Sequence, residues 1–218
     1  GDVYKRQGLD TALAGENVVE QAYELRMNGD AAQAKDLLEK AIAEDPDRAA
    51  VHYELARTLI HLGLGNPPEM MDKIETAHGA IQEAVKIEPD NVIYRLYASQ
   101  MAFLRAYIAM MKNDESAGAR MEDLVHAYEE VLRLDPGNEA ILLYLVETYR
   151  SVPPELGGNP DKAAEYAAIL DDGSPCARAK AHALLLPEDD DHVAYWEKLM
   201  AEHPEDADFM EELGRAHL

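Results

Sequence analysis

Ala34-Lys35-Asp36-Leu37-Leu38-Glu39-Lys40-Ala41-Ile42-Ala43-Glu44-Asp45-Pro46 decides the fold, because the chain repeats its plan as Ala77-His78-Gly79-Ala80-Ile81-Gln82-Glu83-Ala84-Val85-Lys86-Ile87-Glu88-Pro89. In both stretches a small residue opens the pattern, a large aliphatic follows one helical turn on, a second small residue follows another turn on, and Pro closes it. Weaker copies are Leu124, Tyr128, Val131, Pro136 and His192, Trp196, Leu199, Pro204. Small side chains on one helix face let a neighbouring backbone approach closely, and large ones fill the groove beside it. Pro fixes φ and lacks a backbone donor, so it stops a helix. After three of these prolines stand Asn91, Asn138 and Asp206, each a good N-cap for a following helix. Stop and restart within a few residues forces antiparallel neighbours.

Working outward, the first helix of each hairpin is legible too. The run from Val51 to Leu62 carries Leu55-Ala56 and ends at Gly63; Val92 to Lys112 is longer, with Ile93, Leu96, Ala98, Met101, Phe103, Leu104 and Ile108 at helical intervals. Ile141 to Tyr149 follows Asn138, and Phe209-Met210-Glu211-Glu212-Leu213-Gly214 opens another first helix. Gly65-Asn66-Pro67 and Gly158-Asn159-Pro160 both read as a turn, an Asn N-cap and a Pro at the first helical position. No β-branched run with period two is present, so no strand is expected.

These segments resemble the tetratricopeptide repeat (TPR) family, whose unit is a pair of antiparallel helices in about 34 residues with small residues at the crossing and a terminal Pro. Ala34, Leu38, Ala41, Pro46 and Ala77, Ile81, Ala84, Pro89 carry the resemblance, with Leu55-Ala56 and Leu213-Gly214 at the family's Leu-Gly position. The chain departs from the family in length: the prolines are 43 and 47 residues apart, and the excess lies between the two helices of each hairpin. The expected fold is therefore all-α, a right-handed α-solenoid of about five antiparallel helical hairpins, with enlarged turns along one rim of the kind seen in bacterial members. The expected hairpins are about 15–48, 49–91, 92–138, 139–173 and 174–206, with a partial sixth at 207–218, all in one repeat domain spanning 8–218. Gly1 to Gln7 is unlike the rest and is read as a non-native scar. The chain opens without Met and ends inside a first helix, so both ends are read as open to missing sequence.

Composition narrows the function classes. At 218 residues with 47% hydrophobic content the chain supports a core, and 11 of its aromatics are Tyr, a residue that packs its ring while keeping its hydroxyl wet. A net charge of −23 argues against nucleic acid and anionic lipid, both of which call for a basic surface. It favours a solvated surface, with steering of a basic partner as the sharper reading. No apolar run is long enough to span a membrane. The compartment stays open between cytoplasm and periplasm.

Chemistry-bearing motifs are missing: there is no metalloprotease His pair, no nucleophile elbow, no phosphate loop and no dinucleotide fingerprint. Cys176 stands alone in a small-residue helix and reads as a buried small hydrophobe, with Arg178 and Lys180 expected to point elsewhere. Pro187-Glu188-Asp189-Asp190-Asp191-His192 could offer oxygen ligands to a divalent cation but lacks calcium-loop spacing, and reads as a loop capping the next helix. His52, His61, His78 and His126 read as surface or half-buried packing residues, and Met70, Met71, Met101, Met110, Met111 and Met121 as core packing. No enzyme activity, cofactor or metal is expected.

What the resemblance implies about binding is positional. In TPR arrays the first helices line the concave face. Carried over residue by residue, the inward positions give Tyr23, Tyr53, Arg57, His61, Leu96, Gln100, Phe103, Leu143, Glu147 and Arg150 as partner contacts, with Arg26 and Met27 beside Tyr23. Tyr53, Arg57 and His61 fall one turn apart and share one stripe. The Lys/Asn set with which chaperone-binding members grip a carboxylate terminus is absent. The expected function is a non-catalytic interaction module, or scaffold, holding a basic or amphipathic peptide or helical segment of a protein partner. The alternatives are an accessory TPR domain of a larger enzyme and a carrier of a small apolar ligand.

Overall fold

The computed structural model describes residues 17–187 and 190–217, and among them every regular element is helical. Helix α1 covers residues 17–27. It is followed by α2 (Ala31–Glu44), α3 (Ala49–Gly65), α4 (Met70–Ile87), α5 (Val92–Met111), α6 (Ala117–Leu134), α7 (Glu139–Ser151), α8 (Pro160–Ile169), α9 (Pro175–Leu185), α10 (His192–Glu202) and α11 (Ala207–Ala216). Short 3-10 turns stand at Pro67–Glu69, Pro154–Leu156 and Leu170–Asp172. The fold is all-α, of the hairpin-repeat solenoid class. The scar expected at residues 1–7 lies outside the described residues, as do Glu188 and Asp189 of the acidic loop.

The chain forms two compact units, Gly1–Leu134 and Asp135–Leu218. In the first, α2 packs on α3, α3 on α4, α4 on α5 and α5 on α6, so each hairpin rests on its neighbour. In the second, α7 packs on α8 and α9, α8 on α9, and α10 on α11.

The prolines act as their chemistry requires. Helices α2, α4, α6 and α10 each end two residues before Pro46, Pro89, Pro136 and Pro204. The restart signals are equally local. Asn91 accepts from the Ile93 and Tyr94 backbone N–H groups, Asn138 from Ile141, Asn159 from Asp161 and Lys162, and Asp206 from Asp208 and Phe209. One restart differs from the expectation. Asn66 ends α3 instead of starting α4, donating its N–H to the Gly63 carbonyl. Pro67 opens a 3-10 turn that runs into α4 at Met70. Gly-Asn-Pro starts a helix at Pro160 because there the Asn159 backbone is extended and its side chain faces the new helix N-terminus.

The repeat positions are the core. Ala34, Leu38, Ala77, Ile81, Ala84 and Val131 are fully buried, and Ala41, Leu124, Tyr128 and Trp196 nearly so. Packed with Val51, Leu55, Ala56, Leu59, Ala98 and Met101, the first two sets of repeat positions build one cluster across α2 to α5. At about 25 cal/mol per Å² of apolar surface, each fully buried Leu or Ile contributes on the order of 2 kcal/mol.

Candidate functional site

Two places collect the sequence-predicted contacts, one in each unit. In the first unit the first helices of successive hairpins, α1, α3 and α5, touch directly. Arg26 on α1 donates from Nε to Glu54 Oε1 on α3 at 2.9 Å, and Arg57 Nη1 donates to Glu54 Oε2 at 3.3 Å. Arg26 and Glu54 are almost wholly buried, whereas the Arg57 side chain is 35% exposed. Each guanidinium also lies over a tyrosine ring, Arg26 at 5.2 Å from the Tyr23 centroid and Arg57 at 5.5 Å from that of Tyr53. Tyr53 in turn meets α5, with Tyr94 at 5.1 Å and Tyr97 edge-on at 5.4 Å. Burial pushes the Tyr97 hydroxyl up to about 12, against a downward pull from Arg57 and Arg26, so it stays protonated at neutral pH.

Of the predicted contacts on this face, Tyr23, Tyr53 and Arg57 join the cluster. Leu96 is half-buried and Gln100 and His61 are exposed. Phe103 is exposed and stacks on Tyr107 one turn further along α5, with centroids 6.1 Å apart. Met111 continues that stripe, and Leu64 stands exposed near the end of α3. Core packing, expected for the methionines, holds for Met101 and Met121; Met111 is 67% exposed. It is the last residue of α5.

In the second unit a cavity of about 740 Å³ is lined by Leu143, Glu147 and Arg150 of α7, with Lys180, Leu184, Trp196 and Arg215 among the residues opposite. Trp196 is buried against Phe209, while Lys180 pairs with Glu212 at 3.0 Å and Arg215 with the same carboxylate at 2.9 Å. Arg150 is half-buried here. The cavity therefore presents apolar walls and several charged groups of both signs.

Sequence reasoning missed Glu54, Tyr97, Tyr107 and the α9–α11 side of the cavity. Glu54 is a charged residue on a buried face, and its partner Arg26 is 28 positions away, beyond any helical period. Tyr107 was findable, since it lies one turn beyond Phe103 on the exposed stripe of α5. Lys180 also departs from expectation: one helical turn from Cys176, its charge acts on the thiol. Burial still pushes the Cys176 thiol up, outweighing Lys180. Asp191 caps α10 through Ala194, as expected of the acidic loop. Among the described residues no group of His, Cys, Asp and Glu has the geometry of a metal site, and no helix is long and apolar enough to cross a membrane.

Comparison with known proteins bears on this architecture. The tetratricopeptide repeat family model matches residues 25–66, which holds Arg26, Tyr53, Glu54 and Arg57. A comparison with curated proteins finds no relative of significant similarity. Among solved structures, TTC0263, a thermophilic TPR protein in Thermus thermophilus, is similar with a TM-score of 0.55 and 22% identity, over 93% of this chain and 98% of that one. MamA is similar with a TM-score of 0.54 and 15% identity, over 89% of this chain and 91% of that one. At these identities the likeness is one of fold.

Proposed function

We propose that this chain of tetratricopeptide repeats is a non-catalytic scaffold that holds a peptide or helical segment of a protein partner on the face of α1, α3 and α5. The observation that carries this reading is the exposed aromatic stripe of α5. Phe103, Tyr107 and Met111 are each about half exposed or more, on a helix whose other side is core. Exposed apolar side chains in a continuous line are the anchors a helix-in-groove or extended peptide uses. Tyr53 and Arg57 stand on the adjoining α3, and exposed Tyr23 and Met27 stand on α1.

The test is selection of a displayed peptide library on the purified chain. Enriched peptides should lose about tenfold or more in affinity on a Phe103→Ala/Tyr107→Ala double variant. They should be unaffected by Lys86→Ala, an exposed position on α4. Failure to enrich any peptide, or equal binding by the double variant, would sink the reading.

A second reading is favoured by the cavity of the second unit. Its volume of about 740 Å³ falls in the range of small-molecule sites, and Leu143, Leu184 and Trp196 give it apolar walls. On this reading the unit carries a small amphipathic ligand. Native mass spectrometry of several preparations should then show a reproducible non-protein adduct, and a bare mass throughout would count against it.

A further inference from the structure

One carboxylate, that of Glu54, serves two guanidinium groups. Arg26 takes one of its oxygens and Arg57 the other, so the cluster carries one positive charge more than it neutralises. The deficit has a visible mark. Arg26 Nη2 is buried with no hydrogen-bond partner, and Nη1 of the same side chain has only the sulfur of Met27, at 3.8 Å. A buried guanidinium left partly unpaired is costly, and a nearby anion would offset that cost. Arg57 is the exposed member and can supply the contact, with the charge of Arg26 behind it. The Tyr97 hydroxyl lies within the field of all three charged groups and can act as a donor. These three side chains carry a net positive charge within a chain of net charge −23.

The surroundings say what form the anion takes. Helix α3 touches α1 through Arg26 and α5 through Tyr53, so the cationic point lies between α1, which carries exposed Tyr23 and Met27, and α5, which carries the Phe103–Tyr107 stripe further along. Apolar contacts on both sides call for a ligand that continues past the anion in both directions. A chain terminus does not do so; a side chain does.

Resting on the partner-binding reading above, we propose that the face of α1, α3 and α5 takes the side-chain carboxylate of an Asp or Glu lying between apolar residues of an amphipathic partner segment, with Arg57 as its contact and Arg26 as its supporting charge. The acidic exterior of the scaffold then favours basic residues on the partner's outward side. The partner is amphipathic in charge as well as in hydropathy: acid inward, base outward.

Three probes test this: acetyl-leucyl-glutamyl-phenylalaninamide, its glutaminyl twin, and the glutaminyl peptide with a free C-terminal carboxylate. Binding is read by NMR at the Arg57 and Arg26 Nε–Hε resonances of the full chain. The glutamyl amide should bind about tenfold more tightly than either other probe, the ratio a single charge-assisted contact of about 1.4 kcal/mol provides. Arg57→Gln should abolish that preference, and Glu54→Gln, which removes the competing carboxylate, should enlarge it. A residue acting only through stability would weaken both. Equal binding of the glutamyl and glutaminyl amides overturns the inference, as does preference for the free terminus, or no shift with any probe at millimolar concentration. Peptide binding in the library selection with no preference for acid would leave the scaffold reading intact and remove only this one.

Discussion

At the residue scale the cluster of Arg26, Glu54 and Arg57 is where stability and recognition meet. Removing Glu54 strands Arg26 inside the first unit. Glu54→Leu should therefore destabilise by about 3–5 kcal/mol, while Arg26→Met together with Glu54→Leu should recover most of that loss, because a buried pair is hard to break but easy to replace. Urea midpoints of the single and double variants check this; equal destabilisation by both would show that the pair itself, and not the stranded charge, is what matters. Thr58, on the same helix, is wholly buried and its hydroxyl has no partner. Thr58→Val keeps the shape and removes the unsatisfied group, so it should be neutral or stabilise by about 1 kcal/mol. Tyr53 and Arg57 were legible in the sequence as members of one helical stripe. Glu54 was not, because a buried acid is indistinguishable from a solvated one until its cationic partner on another helix is known.

At the element scale the joint between α4, α5 and α6 carries a charged network beside its apolar packing. Arg105 on α5 donates to both Glu75 oxygens, at 3.1 Å each, and to His78 Nε2 at 3.0 Å, and Arg120 on α6 reaches Glu75 at 3.3 Å. Accepting from Arg105 requires His78 to be neutral at Nε2, and Gln82 lies against the same nitrogen. Burial and then Arg105 lower its pKa from 6.5, with Glu75 and Asp123 opposing. The unfolded chain thus takes up a proton that the folded chain refuses. This contribution to stability is fully present above about pH 6.5 and is lost as pH falls toward the lower folded-state value. His78→Gln should flatten the stability profile between about pH 6.5 and 5 relative to wild type; an unchanged slope in urea titrations would exclude the effect. The enlarged turn between α7 and α8 rests on two glycines with different duties. Gly157 has φ +104°, and a Cβ on Gly158 would lie 1.7 Å from the Val152 carbonyl oxygen. Gly158→Ala should break the Asn159 N–H to Tyr149 carbonyl bond and lower the melting temperature, whereas Gly137→Ala, with open space at its Cβ, should not. Helix stops and caps were legible because Pro, Asn and Asp act within a few residues of themselves. The inter-helix turns were less so, as Asn66 shows, because their course depends on where the preceding helix runs out.

At the scale of the whole molecule charge opposes compactness. A net charge of −23 on 218 residues means that folding concentrates like charge, and self-repulsion destabilises the compact state. Salt acts on two terms of opposite sign. It weakens surface ion pairs such as Lys86–Glu83 and Arg133–Asp90, which contribute little at an exposed surface. It also screens the repulsion, since the Debye length falls from about 30 Å at 0.01 M to about 8 Å at 0.15 M. With so large an excess of acid the second term wins, so stability should rise with sodium chloride. Acidic residues outnumber basic ones more steeply in Asp135–Leu218 than in Gly1–Leu134, so the second unit should gain more. The chain supplies the reporter for that comparison: its single tryptophan, Trp196, is buried in the second unit, whereas far-UV circular dichroism averages over all helices. Urea midpoints read by tryptophan fluorescence should therefore move further with salt than those read by dichroism. Coincident shifts would mean that the units unfold as one cooperative body, and a midpoint that falls with salt by both probes would mean that specific ion pairs outweigh the excess of acid.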